Sequence, residues 1–396
     1  MNTNTSLPIT KTERNYGLDL LRPVAMFMVV LLHVLGRGGI LSAYGRDGSF
    51  LKYELVWLLE IAAYGAVDCY ALLSGYVGVN VRHKPSGLIM LTLQTVFYTV
   101  SITLGFLLFM PGSTSIGDLL KAFLPFGFHH YWYYTAYFCL FFFLPFLNKL
   151  LHSLSHKQLV ALIGTIVLMF SLLPTLFLRD IFTAVGGYTP LWLALLYLLG
   201  GALRLLDVGK NTSPRRCFEL WAFAIGLTWC SHILIGTITP HLFGETKGQM
   251  LLINYVSPTI LFGACALVVG FARLQPGPRA KKVVGWLSPL AFGVYLIHTE
   301  PLIWTHFMAN RYLPLAHVPA LLLIPTVLLA AFGLWLVCTL IEFLRHRLFL
   351  WLRVKRFADW LDGKLTVLFS RLLKRFLPFA GEEETDTTSA DSDTVS

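Results

Sequence analysis

Charge is what this chain has least of. Asp, Glu, Lys and Arg make up 13% of its 396 residues, about half of the roughly 25% usual in a soluble domain. Hydrophobic residues reach 56% and the mean hydropathy is +0.67. Too little polar surface remains to cover a soluble core of this size. That excludes a water-soluble enzyme, a disordered chain and a fibrous one. Cysteine is also sparse. None of the six forms a CxxC pair, which excludes a disulfide framework and a cysteine zinc site. All six lie in or beside apolar runs and read as small buried hydrophobes. A cleavable signal is missing as well: residues 1–17 are polar, and the first apolar run carries ionisable groups and no small-residue cleavage site.

What is present is a series of apolar runs of membrane-spanning length, about 20 residues each. They fall near 18–36, 51–79, 88–110, 131–150, 159–178, 190–206, 217–238, 250–271, 283–307 and 318–343. Those near 190 and 217 are the weakest. The expected fold class is all-α: a polytopic membrane helix bundle of about ten transmembrane helices. Short connectors leave no room for an inserted soluble domain. The net charge of +10 needs no nucleic-acid partner, because the basic residues come in bursts between the spans. With both termini cytoplasmic, 24 of the 31 Lys and Arg residues fall on the inner side, as the positive-inside rule requires.

Four regions follow. Residues 1–17 form a polar cytoplasmic N-terminus and 18–343 the transmembrane domain. In residues 344–380, Phe357, Trp360, Leu361, Leu365, Leu368 and Leu372 recur at three and four among basic residues. This predicts a basic amphipathic helix, on the anionic leaflet or against the protein's own cytoplasmic face. Residues 381–396 are acidic and Ser/Thr-rich and read as a disordered tail.

Ionisable residues inside spans are costly and point to function. The first span opens Leu18-Asp19-Leu20-Leu21-Arg22 and reaches His33. Eleven helical steps return Arg22 and His33 to within roughly 20° of one face, about 16 Å apart along the axis. Asp19 lies one turn before Arg22 and pairs with it. The second span adds Glu60 and Asp68, eight residues apart, and then Ser74-Gly75, which reads as close helix packing and not as a nucleophile elbow. The run His129-His130-Tyr131-Trp132-Tyr133-Tyr134 reads first as an interfacial aromatic belt. Tyr295 and His298, three apart, are helix neighbours; His298 is either a polar contact in a cavity or a helix–helix hydrogen bond.

Several of these elements resemble the bacterial acyltransferase-3 family. Arg22 with His33 looks like its R-x10-H signature. Val67-Asp68-Cys69-Tyr70 with Leu73-Ser74-Gly75-Tyr76 is similar to V-D-x-F-x-x-x-S-G-[YF]. Tyr131-Trp132-Tyr133 looks like W-[FY]-L, and Tyr295-Leu296-Ile297-His298 matches Y-L-[IL]-H. The resemblance covers about residues 15–345. It implies an integral O-acyltransferase of the bacterial inner (plasma) membrane. Its co-substrate would be acetyl-CoA, its acceptor a hydroxyl of a cell-surface carbohydrate or a lipid-linked precursor, and no metal would be needed. Many members carry an R-x-x-R type motif in the loop after the second span; here the loop reads Val81-Arg82-His83-Lys84-Pro85.

On this reading Arg22, Arg82 and Lys84 hold the donor phosphates. His33 is the general base, or in a variant the nucleophile. Asp68 or Glu60 orients His33, Tyr295 or His298 donates to the oxyanion, and Asp19 and Trp132 complete the substrate contacts. A transporter or flippase of a lipid-linked sugar, running on an intramembrane proton relay, is the rival class.

Overall fold

The computed structural model describes residues 14–44, 49–81 and 83–376. Arg82, most of the polar N-terminus and the acidic tail lie outside the described residues. Among the described residues there are helices and turns but no strand. In chain order the helices are α1 (Tyr16–Leu35), α2 (Phe50–Tyr64), α3 (Ala66–Gly78), α4 (Pro85–Phe109), α5 (Ile116–Ala122), α6 (Trp132–Ser153), α7 (His156–Val167) and α8 (Leu173–Leu176). They continue as α9 (Pro190–Leu205), α10 (Pro214–Phe243), α11 (Pro258–Arg273), α12 (Pro278–Leu287), α13 (Ala291–His298), α14 (Pro301–Ile303), α15 (Ala320–Trp351) and α16 (Val354–Phe376). Proline sets many of the starts: Pro85, Pro190, Pro214, Pro258, Pro278 and Pro301 each open a helix, where the missing N–H has no intrahelical partner to lose. Asn15, Ser155, Thr189 and Ser213 cap first-turn N–H groups with their side chains.

Eight stretches are long and apolar enough to cross a membrane: 16–35, 50–78, 85–109, 132–153, 156–176, 214–243, 278–298 and 320–351. Helices α9 and α11 are apolar but only 16 residues long. They rise about 24 Å, against roughly 30 Å of hydrocarbon. The weak segments are therefore those near 190 and 258. The segment near 217, weak by sequence, is a 30-residue helix. The segment near 250 is short because residues 251–257 are turns and Pro258 opens the helix.

Helix α1 is the central stave and packs against α2, α3, α11, α12, α13 and α15. Leu21, Val30, Val34 and Leu35 on it are fully enclosed. Outer helices turn large apolar side chains outward, among them Phe146, Phe223, Leu321 and Leu329. Such a surface suits hydrocarbon and not water. Cys139 and Cys230 also face outward, unlike the buried Cys69, Cys217 and Cys338.

Two features pin the bundle. The carboxylate of Glu342 on α15, fully buried, accepts hydrogen bonds from Tyr98 Oη at 2.7 Å, from Gln94 Nε2 at 3.2 Å and from Arg345. This ties α15 to α4 with every partner polar, as a buried charge requires. The other is the α3–α9 crossing. A Cβ on Gly75 would strike the Tyr197 carbonyl oxygen, and one on Gly200 the Leu72 carbonyl oxygen. Only residues without a side chain allow backbones this close.

Gly75→Val and Gly200→Val are each expected to destabilise the purified protein by at least about 1–3 kcal/mol through overpacking. Gly226→Ala, where nothing stands within 4 Å of the added carbon, is expected to hold or raise the melting temperature. Thermal unfolding in detergent reads both. Equal melting temperatures across the three variants would contradict the close crossing.

Candidate active site

Arg22 and His33 both sit on α1, and each faces a different cavity. Arg22 lines a cavity of about 890 Å³ with Tyr70, Ser74, Lys84, Tyr133 and Ser288. His33 lines one of about 580 Å³ with Glu60, Tyr133, Tyr255, Tyr295 and Trp304. The two share Tyr70 of α3, Tyr133 of α6 and Phe292 of α13. The spacing on α1 implies one continuous polar stripe; in the structure that stripe is divided by an aromatic partition.

The guanidinium of Arg22 is held from one side. Asp19, 7% exposed, accepts from Arg22, from Arg14 Nε and, at 3.4 Å, from Ser288 Oγ. Arg22 Nη1 also reaches Ser288 Oγ at 3.2 Å. Asp19 lies outside both cavity linings, so its role is to fix Arg22. Tyr70 donates its hydroxyl proton to the Arg22 carbonyl at 2.6 Å, which seats the partition against α1. Lys84 lines the Arg22 cavity; Arg82, the other donor contact expected from sequence, lies outside the described residues. Burial lowers the pKa of His83 on the same wall. Its ring is neutral at pH 7, and the cavity's cations are arginine and lysine.

The imidazole of His33 has a histidine for its partner. Its Nδ1 lies 2.8 Å from His298 Nε2, and His298 Nδ1 lies 2.6 Å from the Val294 carbonyl oxygen. A carbonyl only accepts, so His298 carries its proton on Nδ1. Its Nε2 is then an acceptor, His33 must carry its proton on Nδ1, and the His33 Nε2 lone pair is left unprotonated (a tautomer assigned from the hydrogen-bond network). The Trp304 ring meets the imidazole edge-on at 4.7 Å and restricts its rotation. The result is an oriented base whose orienting group is neutral.

Several expected roles change on this geometry. Asp68 is fully buried, accepts from Trp192 Nε1 at 3.1 Å, and lines neither cavity. Its hydrogen-bond partner is not His33; the partner of His33 is His298. His298 in turn has no N–H left for an oxyanion. Glu60 lines the His33 cavity, 8% exposed, with Oε2 lacking a hydrogen-bond partner, and it does not contact His33 either. Tyr295, one of the two expected oxyanion donors, lines the same cavity. Trp132 and its neighbours form a cavity wall: His129, His130, Tyr131, Trp132 and Tyr133 all line the His33 cavity. Sequence reading missed Tyr70, Trp304, Tyr188 and Tyr255. Only Tyr70 left a signal, inside the Val67-Asp68-Cys69-Tyr70 motif.

No curated protein and no solved structure matches the chain. A family model described as an acyltransferase domain matches residues 15–342, from α1 to the last third of α15. The stretch includes both cavities' α1, α3, α6 and α13 walls, and on that match the chain belongs to the acyltransferase-3 family.

Proposed function

We propose that this membrane acyltransferase moves an acetyl group from acetyl-CoA to a hydroxyl of a cell-surface polysaccharide or its lipid-linked precursor. It would do so in the bacterial inner membrane with both termini in the cytoplasm. The observation that carries the reading is the pair of cavities meeting at one partition, one basic and one aromatic, with an unprotonated imidazole nitrogen on the second. Donor phosphates suit Arg22 and Lys84, which offer charge-assisted hydrogen bonds. The pantetheine arm then passes between Tyr70, Tyr133 and Phe292 towards His33. An acceptor sugar suits the other cavity, where tyrosine and tryptophan faces cover apolar ring surface and their polar tips reach hydroxyls.

The chemistry balances on one histidine. The acceptor hydroxyl gives its proton to His33 Nε2 as its oxygen bonds to the thioester carbonyl carbon. The tetrahedral oxyanion is met by the Tyr295 hydroxyl. The carbon–sulfur bond then breaks, and the CoA sulfur takes the proton back from His33. His298 accepts from His33 Nδ1 throughout, which keeps the ring in place while its charge changes.

His33→Ala is expected to lower acetyl transfer by at least about 10²-fold while the protein still inserts and folds. CoA release by the purified protein, and O-acetyl signals in the NMR spectrum of surface polysaccharide from the producing cells, read the loss. Full transfer by that variant rejects the assignment. His298→Ala is expected to cut kcat by about 10²-fold with KM for acetyl-CoA unchanged, since it orients the base without touching the donor. A KM effect alone would place His298 on the donor instead.

A further inference from the structure

The Arg22 cavity is closed on one side by a helix that the family match does not reach. That match ends at residue 342, and α16 begins at Val354. The connection is abrupt. Helix α15 ends at Trp351, and Arg353 takes a left-handed backbone with φ of 53°, which turns α16 back under the bundle. There Lys355, Asp359 and Asp362 line the cavity opposite Arg22 and Lys84.

Their spacing puts them on one helix face, since positions i, i+4 and i+7 are neighbours. Ala358, fully buried, lies on that same face. Phe357, Trp360 and Leu368 are all about half exposed and point elsewhere. The helix therefore docks by its polar face and leaves its apolar face uncovered, as a helix at a lipid surface does. The dock is specific: the Ser86 backbone N–H, in the first turn of α4, donates to Asp362 Oδ2 at 3.2 Å. The positive end of α4 offsets that carboxylate. Asp359 is exposed, as Lys84 and Lys355 are, so water and salt screen all three. Among the described residues, three cations line the cavity, Arg22, Lys84 and Lys355, from three separate elements.

We propose that α16 is the floor of the donor cavity and that Lys355 is a direct ligand for a phosphate of the acyl-CoA donor, with Asp362 as the positioning residue that seats the floor on α4. This rests on the donor reading of that cavity given above. The basic side chains of α16 then divide by face. Lys355 serves the donor. Lys364, nine residues on and so about 180° around the helix, is exposed and serves the lipid side.

The test uses the full-length protein in neutral detergent with no added lipid, and CoA as the probe. Lys355→Ala is expected to raise the CoA Kd and the KM for acetyl-CoA about tenfold, a change of about 1.4 kcal/mol, through KM and not kcat. Lys355→Arg is expected to restore most of it. Lys364→Ala removes the same charge from the opposite face and is expected to leave Kd within error of wild type. Asp362→Ala is expected to raise KM as Lys355→Ala does. Asp362→Asn, whose amide oxygen still accepts from Ser86, is expected to rescue it. Equal Kd for Lys355→Ala and Lys364→Ala overturns the proposal while leaving the donor reading intact. A defect in Lys355→Ala that appears only in anionic phosphatidylglycerol vesicles assigns the lysine to a lipid headgroup and also overturns it. A wild-type protein that binds no CoA refutes the donor reading and this inference with it.

Discussion

A backbone carbonyl has lone pairs and no proton, and at Val294 that fact propagates. The oxygen lies 2.6 Å from His298 Nδ1, so His298 is fixed as a donor there and an acceptor at its other nitrogen. His33 Nδ1, 2.8 Å away, must then donate, and the base is left with its lone pair on Nε2. A carboxylate in the same place would also orient the ring, but it would add a second acid to a cavity that Glu60 already lines. Burying an unpaired charge there costs several kcal/mol. A neutral histidine held by its own helix achieves the same orientation without that cost. The chain needs α13 to stop at His298 and α1 to run unbroken to Leu35. Both helices are among the most enclosed in the bundle, so the geometry is set by packing on all sides.

The opposite end of α1 obeys the same economy with charges instead of tautomers. Arg22 faces a cavity but is anchored behind by Asp19 and Ser288. Asp19 is shared with Arg14, so the cluster carries net positive charge towards the open side. A lone intramembrane arginine would be free to fold back on any acceptor. One already clamped through Nη1 presents its remaining N–H groups in a fixed direction, which suits a planar anion such as a phosphate.

Much of this was legible from periodicity alone. The eleven-residue interval fixes Arg22 and His33 on one side of a helix whatever surrounds it, and Asp19 one turn earlier is bound to reach the arginine. The three-and-four pattern carries a helix over Val354–Phe376, but not its start: residues 344–351, expected in the same helix, continue α15, and Arg353 breaks the chain. What periodicity cannot carry is which helix stands opposite. Asp68 sits in a motif with charge of the right sign, but α3 turns it to Trp192 on α9. His298 sits 265 residues from His33, and no local signal joins them. The run from His129 to Tyr134 has the composition of a membrane-interface belt, and that composition does not say that His129 to Tyr133 also wall a cavity where α6 starts. Helix length misled in a similar way. Apolar content near 250 suggests a full span, but Pro258 and the turns before it leave α11 with 16 residues.

Those two short helices bear on why the cavities come so near each other. At about 24 Å of rise, α9 and α11 would leave polar backbone ends inside hydrocarbon if lipid surrounded them, which is costly. They avoid this by being enclosed: α9 packs on α3, α6 and α7, and α11 on α1, α3 and α10. Gly75 and Gly200 bring α3 and α9 together at backbone distance. An interior built from short, closely packed helices is thinner than the lipid-facing shell around it. Two polar cavities can then approach from opposite ends of α1 without any one span losing its hydrophobic length. What stands between them is a set of side chains that both cavities touch, Tyr70, Tyr133 and Phe292, so the division is made by side chains and not by a helix backbone.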